Sequence, residues 1–173
     1  MVKSIYLLMG IILLTGCDTR LHELTMRKTP YYGNELRIDG YYYSNMDEYN
    51  NSISVAVFYR DGFCINTHVD SPVNQDTLGY IENEILLNNT YIAKMKREPF
   101  HIGVFQIMYP DIQFEIWEFR SWPFTYSGNI VNDTTFIINK RMDNRAGKSY
   151  SENLTYRFKQ FSQKPDSTNN FVK

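Results

Sequence analysis

Short stretches in which apolar and polar residues alternate, each closed by turn residues, constrain this chain more than anything else in it. Leu154, Tyr156 and Phe158 alternate with Thr155, Arg157 and Lys159, the period of a strand that buries one face. Upstream, 101–109 and 112–120 flank Pro110-Asp111, and 122–131 and 134–140 flank Asn132-Asp133, so both pairs read as hairpins. Arg60-Asp61-Gly62 separates 53–59 from 63–69, and here the register can be argued. A three-residue loop with Gly62 left-handed pairs Tyr59 with Phe63 and gathers Ile53, Val55, Val57, Tyr59, Phe63, Ile65 and Val69 on one face. Ser54, Ala56, Phe58, Cys64, Asn66 and His68 then share the other. With an opening strand at 35–43, bent at Gly40, and a last one at 154–161, the count is eight. Eight antiparallel strands in sequential order predict a mainly β chain closed as an up-and-down barrel, because closure leaves no unpaired edge.

One segment breaks the pattern. Leu78, Ile81, Ile85 and Leu86 recur at helical spacing after a candidate cap at Asp76, and Ile92 and Met95 continue the face beyond Asn88-Asn89. This predicts one broken helix or two short ones, inserted between the third and fourth strands. Arg141 to Asn153 is polar and charged around Gly147, and reads as a long exposed loop.

The amino terminus has a different character. Lys3 precedes an uncharged apolar run, Ile5 to Leu14, of secretory-signal length and too short to span a bilayer. The Leu14-Thr15-Gly16-Cys17 that follows resembles the lipobox of bacterial lipoproteins. That resemblance implies cleavage before Cys17, diacylation of its sulfur, and anchorage in the cell envelope, with the outer membrane favoured over the inner. Two or three acyl chains on one residue make a lasting anchor where a single chain holds only reversibly. The expected organisation is a signal peptide over 1–16, an anchor and leash over 17–34, a barrel over 35–161 and a polar tail over 162–173. Fully extended, the fifteen or so leash residues would reach about 50 Å.

Composition excludes several classes of function. Without its first sixteen residues the chain carries 17 Lys and Arg against 19 Asp and Glu, no surplus with which to neutralise phosphates, so nucleic acid is not an expected partner. If Cys17 is acylated, Cys64 has no partner for a disulfide and reads as a small buried residue. His22, His68 and His101 stand apart, with no ligand spacing for a metal, and there is no phosphate-binding loop or nucleophile elbow. No catalytic residue and no cofactor are expected. Glu115 and Glu118, three apart on one strand, face opposite ways and cannot act as a carboxylate pair.

The Leu36-to-Tyr43 opening, the Phe58-to-Gly62 hairpin and the Gly128-to-Phe136 turn resemble small lipocalin-like lipoproteins of bacteria. The resemblance spans most of 35–161 and implies a lipocalin-like barrel binding a small apolar or amphipathic ligand. In place of the Gly-x-Trp of true lipocalins the first strand has Gly40-Tyr41-Tyr42. The candidate ligand residues are Tyr41, Tyr43, Phe105, Glu115, Trp117, Trp122 and Tyr126. A barrel of eight strands is wide enough either to be filled by such side chains or to hold one small ligand, and both outcomes stay open here. So does a second role, as a tethered subunit offering its surface to an envelope protein. Thr77, Thr134 and Ser167, each preceded by Asp, are candidate O-glycosylation acceptors.

Overall fold

A computed structural model of the chain describes residues 21–45, 52–70, 76–118 and 122–173. The signal peptide and Cys17 lie outside the described residues. Eight strands form a closed antiparallel barrel in sequential order. They are β1 (Gly40–Ser44), β2 (Ser52–Phe58), β3 (Phe63–Asp70), β4 (Ile102–Met108), β5 (Asp111–Glu118), β6 (Trp122–Asn132), β7 (Thr135–Asp143) and β8 (Lys148–Gln160). Closure comes from β1 against β8, registered from Gly40 opposite Gln160 to Ser44 opposite Tyr156. This is the mainly β meander that the strand periodicity requires, and it is the architecture of lipocalin-like barrels.

The β2–β3 register follows from the turn chemistry. Gly62 sits at φ +85°, Tyr59 N donates to Phe63 O, and Phe58 lies opposite Cys64. Yet the more apolar face of this hairpin is the outer one. Val55, Val57, Phe63, Ile65 and Val69 belong to a cluster outside the barrel, while Ala56, Phe58 and Cys64 point inward. What covers the outer face is the helical insertion, the segment around Leu24 and Met26, and the carboxyl-terminal Phe171 and Val172. The insertion is α1 (Thr77–Tyr80), continued by a π-helical turn over Ile81–Leu86, and α2 (Asn89–Arg97). Asp76 makes no side-chain cap; Asn88 does, accepting from Thr90 N and Tyr91 N, so the Asn88-Asn89 break is a helix start.

Three segments differ from their sequence reading. The first strand begins at Gly40, because residues 31–39 cross the base of the barrel instead: Tyr31 and Leu36 are buried there, and the Tyr31 hydroxyl receives Leu36 N at 2.8 Å. Arg141 to Asn153 is a hairpin, not a loop. β7 and β8 stay paired out to Asp143 opposite Lys148, around a turn in which Gly147 adopts φ +64° and Asp143 accepts from Arg145 N and Ala146 N. Both arms are polar because they rise past the core, and backbone pairing does not require apolar side chains.

The third is the leash, which from Leu21 onward is a strap. It descends the outside of β5 and β4. Trp117 Nε1 donates to His22 O at 2.7 Å, the Glu115 carboxylate receives Met26 N and the Thr25 hydroxyl, and Gln106 Nε2 donates to Arg27 O. The strap thus runs from near the β5–β6 end of the barrel to the opposite end, where Tyr31 enters the base. At the other terminus, Phe171 and Val172 pack into the same outer layer, beside Trp117.

Lys164 fixes that tail to the base, donating to Ile38 O and to Phe58 O and lying 4.6 Å above the Tyr59 ring. Burial pushes its ammonium down to about 8. Between about pH 8 and 10 the unfolded chain therefore binds more protons than the folded one, and stability rises with pH across that window. Urea midpoints at pH 7.5 and 9.5 should show this rise in the parent chain, and Lys164→Met should abolish it.

Candidate functional site

From the base upward, the barrel interior is filled by rings. Phe58 lies 4.7 Å from Phe105, 5.8 Å from both Tyr42 and Phe136, and 6.0 Å from Phe114, measured between centroids. Two stacked pairs form the next layer, Phe114 on Tyr126 at 4.9 Å and Phe136 on Tyr156 at 4.5 Å. Both tyrosines present their hydroxyls upward, and the chemistry changes there. The Tyr156 hydroxyl donates to Ser54 Oγ at 2.7 Å and accepts from Asn66 Nδ2, while Ser54 Oγ donates to Asn66 Oδ1 at 3.0 Å. Three buried polar side chains thus satisfy one another.

The Tyr126 hydroxyl donates to Glu118 Oε1, a 5% exposed carboxylate at the upper end of β5. His68 Nε2 lies 3.9 Å from Oε1, and Arg141 Nη1 lies 3.9 Å from Oε2. Burial alone would raise Glu118, but the neighbouring His68, the hydrogen bond from Tyr126 and the Arg141 charge outweigh it and hold the carboxyl below its ordinary range. Arg141 in turn lies 3.0 Å from Glu152. Above this layer the rim alternates cations with rings: Arg145 sits 4.0 Å over Trp122, and Arg141 and Lys148 sit 5.1 and 5.0 Å from Tyr150.

At the upper end of the barrel, its mouth, β3 and β4 part. They pair only from Phe63–Val104 to Ile65–Ile102, after which Asn66 N donates to His101 O. His101 N donates to Trp117 O on the other side, so the residue is held from both flanks at φ +65°, a region that a non-glycine residue rarely adopts. Its ring lies tilted against Phe100, centroids 3.7 Å apart, and faces His68 at 6.4 Å. Burial, then the neighbouring His68, pushes the His101 imidazole down to about 4. Its Nδ1 and the indole Nε1 of Trp122 are buried with no hydrogen-bond partner among the described residues. Buried polar atoms without a protein partner suit a site that a ligand completes.

The sequence-derived candidates divide between two surfaces. Phe105 and Tyr126 are inside the barrel and Trp122 is at its mouth, opposite Glu118. Tyr41, Tyr43, Glu115 and Trp117 are on the outer face: the Tyr41 hydroxyl donates to Glu82, Tyr43 packs beside Tyr41, and the Glu115–Trp117 pair clamps the strap. Glu118, His68, Arg141, Ser54, Asn66, Tyr156 and His101 were not among those candidates. Their signal was present in β5, where Glu118 follows Ile112, Phe114 and Ile116 on the inward face; a carboxylate that continues an apolar stripe is costly to bury without partners. Of the glycosylation candidates, Thr77 opens α1, Thr134 bonds Asn132 in its turn, and Ser167 reaches Asp61.

Among the described residues, no three His, Cys, Asp or Glu side chains are grouped to hold a metal ion. No family model matches the chain, and neither a curated protein nor a solved structure shows significant similarity to it. The site therefore has to be read from its own geometry.

Proposed function

We propose that this chain is a lipocalin-like lipoprotein of the bacterial envelope, anchored through acylated Cys17, that takes a small amphipathic molecule at the mouth of its barrel. The observation that carries this reading is the layered interior. Rings fill the barrel from its base to the Tyr126 and Tyr156 hydroxyls, and above them a buried, ionised Glu118 adjoins the unmatched His101 Nδ1 and Trp122 Nε1. A ligand rests on that floor rather than entering the full length of the barrel. Its polar group meets His101 and Trp122, and its apolar part lies against the rings of the rim.

The two tryptophans make the test direct, since Trp122 is at the mouth and Trp117 lies beneath the strap. Single-tryptophan proteins, Trp117→Phe and Trp122→Phe, are titrated with a panel of medium-chain fatty acids, sterols and aromatic acids. Saturable change of Trp122 emission with Trp117 silent is the expected result. A flat response of Trp122 across the panel would overturn the reading.

A second reading has its own observation. Tyr32, Met108, Tyr109 and Val131 are 84%, 65%, 66% and 56% exposed at the base end, where Ile130 N donates to Pro110 O and brings the two turns together. An apolar patch there favours docking to an envelope protein, with the barrel as a scaffold. Loss of a cross-linked partner on Tyr109→Lys, with Trp122 still silent to ligands, would select this reading over the first.

A further inference from the structure

Outside the barrel, the strap and the carboxyl-terminal tail run side by side over β4 and β5 without closing on each other. Between them lies a groove of about 610 Å³, to which Val104, Trp117, Leu24, Met26, Phe171 and Val172 give apolar lining and Glu23, Arg27, Lys28 and Lys173 charged lining. That volume falls within the usual span of small-molecule clefts. Leu21, 39% exposed, lines it as well, so the groove pairs an apolar stripe with charged side chains.

The direction of the strap decides what is near. Its contacts descend from Trp117 through Glu115 to Gln106, so Leu21 is its upper end and the chain toward Cys17 leaves from beside the groove. Cys17 is four residues before Leu21, a reach of at most about 14 Å. Any acyl chain on Cys17 thus begins within reach of the groove's apolar stripe of Leu24, Met26, Trp117 and Val172. From these positions we infer that one acyl chain of Cys17 lies in the groove between strap and tail whenever the protein is away from a membrane. The inference rests on the reading of Cys17 as the lipid anchor. It assigns the groove a function separate from the mouth: shielding the protein's own hydrocarbon from water during transfer to the membrane. It also explains why Leu24 and Met26 alternate inward along a stretch that otherwise has the composition of a linker.

The test uses full-length protein produced in cells fed 9,10-dibromostearate, so that the acyl chains carry a contact quencher of indole fluorescence. Intact mass first reports whether Cys17 is acylated; an unmodified mass overturns the anchor and the groove assignment together. With acylation established, the protein is moved into detergent-free buffer. Trp117 emission in the Trp122→Phe protein should then be quenched several-fold relative to protein with unbrominated chains, and Leu24→Asp should relieve the quenching. Trp122 in the Trp117→Phe protein should be unaffected. Acylated protein with no quenching of Trp117, or with equal quenching of both tryptophans, would overturn the groove while leaving the anchor intact.

Discussion

Phe58→Ala is expected to lower the unfolding free energy by about 3–5 kcal/mol, the range for removing a large ring from a packed core. Phe58 is 1% exposed and touches rings contributed by β1, β4, β5 and β7, so no single neighbour can move in to fill the space. Ring pairs of this kind contribute about 0.5–1.5 kcal/mol beyond the area they bury, and four such contacts disappear together. Against the 5–15 kcal/mol that holds most domains folded, this is a large fraction. Urea denaturation should show the midpoint fall with an unchanged slope, because the barrel still unfolds as one unit. Phe58→Leu, which keeps most of the volume, should cost less than half as much. The hole left by the alanine is dry and apolar and should bind benzene, raising the midpoint of the variant but not of the parent. A midpoint unchanged in Phe58→Ala would mean that the interior is not packed as described.

The strand order and the turns at Gly62, Pro110 and Asn132 were legible because each depends on local chemistry, whereas the β7–β8 turn around Gly147 was hidden by the polar arms on either side of it. Gly62 could be assigned a left-handed conformation from its place after Asp61, and that choice fixed the register of β2 on β3. Which face of the sheet pointed inward was not legible. β2 and β3 are buried on both faces, by the barrel interior on one and by the helices and strap on the other, so hydrophobicity does not separate inside from outside. The aromatic residues Tyr41 and Trp117 therefore read as cavity lining when they are outer-layer packing. The same ambiguity hid the site. Glu115 and Glu118 were correctly set on opposite faces, but the choice between them turned on which one the interior claimed. Glu115, beside Trp117, holds the strap, and Glu118 heads the polar layer. His68, Arg141 and Asn66 meet Glu118 or Tyr156 only through barrel closure, across sequence separations that no local spacing encodes. The strap escaped detection because its exposed positions, Glu23, Thr25 and Arg27, set the average polarity, while His22, Leu24 and Met26 alternate beneath them.

Acid should weaken the fold chiefly through His101. In the unfolded chain this imidazole takes up a proton near pH 6.5; in the barrel it does so only at about 4, mainly because of its burial and then because of His68, with Glu118 pulling weakly the other way. Between those two values the unfolded chain holds the extra proton, so stability falls as pH falls, by up to about 3 kcal/mol once the folded-state value is passed. Glu118 acts in the same direction. Its carboxyl is held below the ordinary range, so the stability it contributes is present above the unfolded value and fades as pH drops through the folded one. His101→Asn separates the two groups. Asparagine accepts a positive φ better than most side chains and carries no titratable proton, so the variant should match the parent at pH 7. On acidification to pH 4 it should lose less than the parent, by up to about 3 kcal/mol, leaving only the decline due to Glu118 and the remaining carboxylates. Thermal or urea midpoints at pH 7, 5.5 and 4 measure the difference. Parallel decline in the two proteins would show that His101 takes up its proton as readily in the barrel as in the unfolded chain. The mouth would then have to be more open to water than its packing against Phe100 allows.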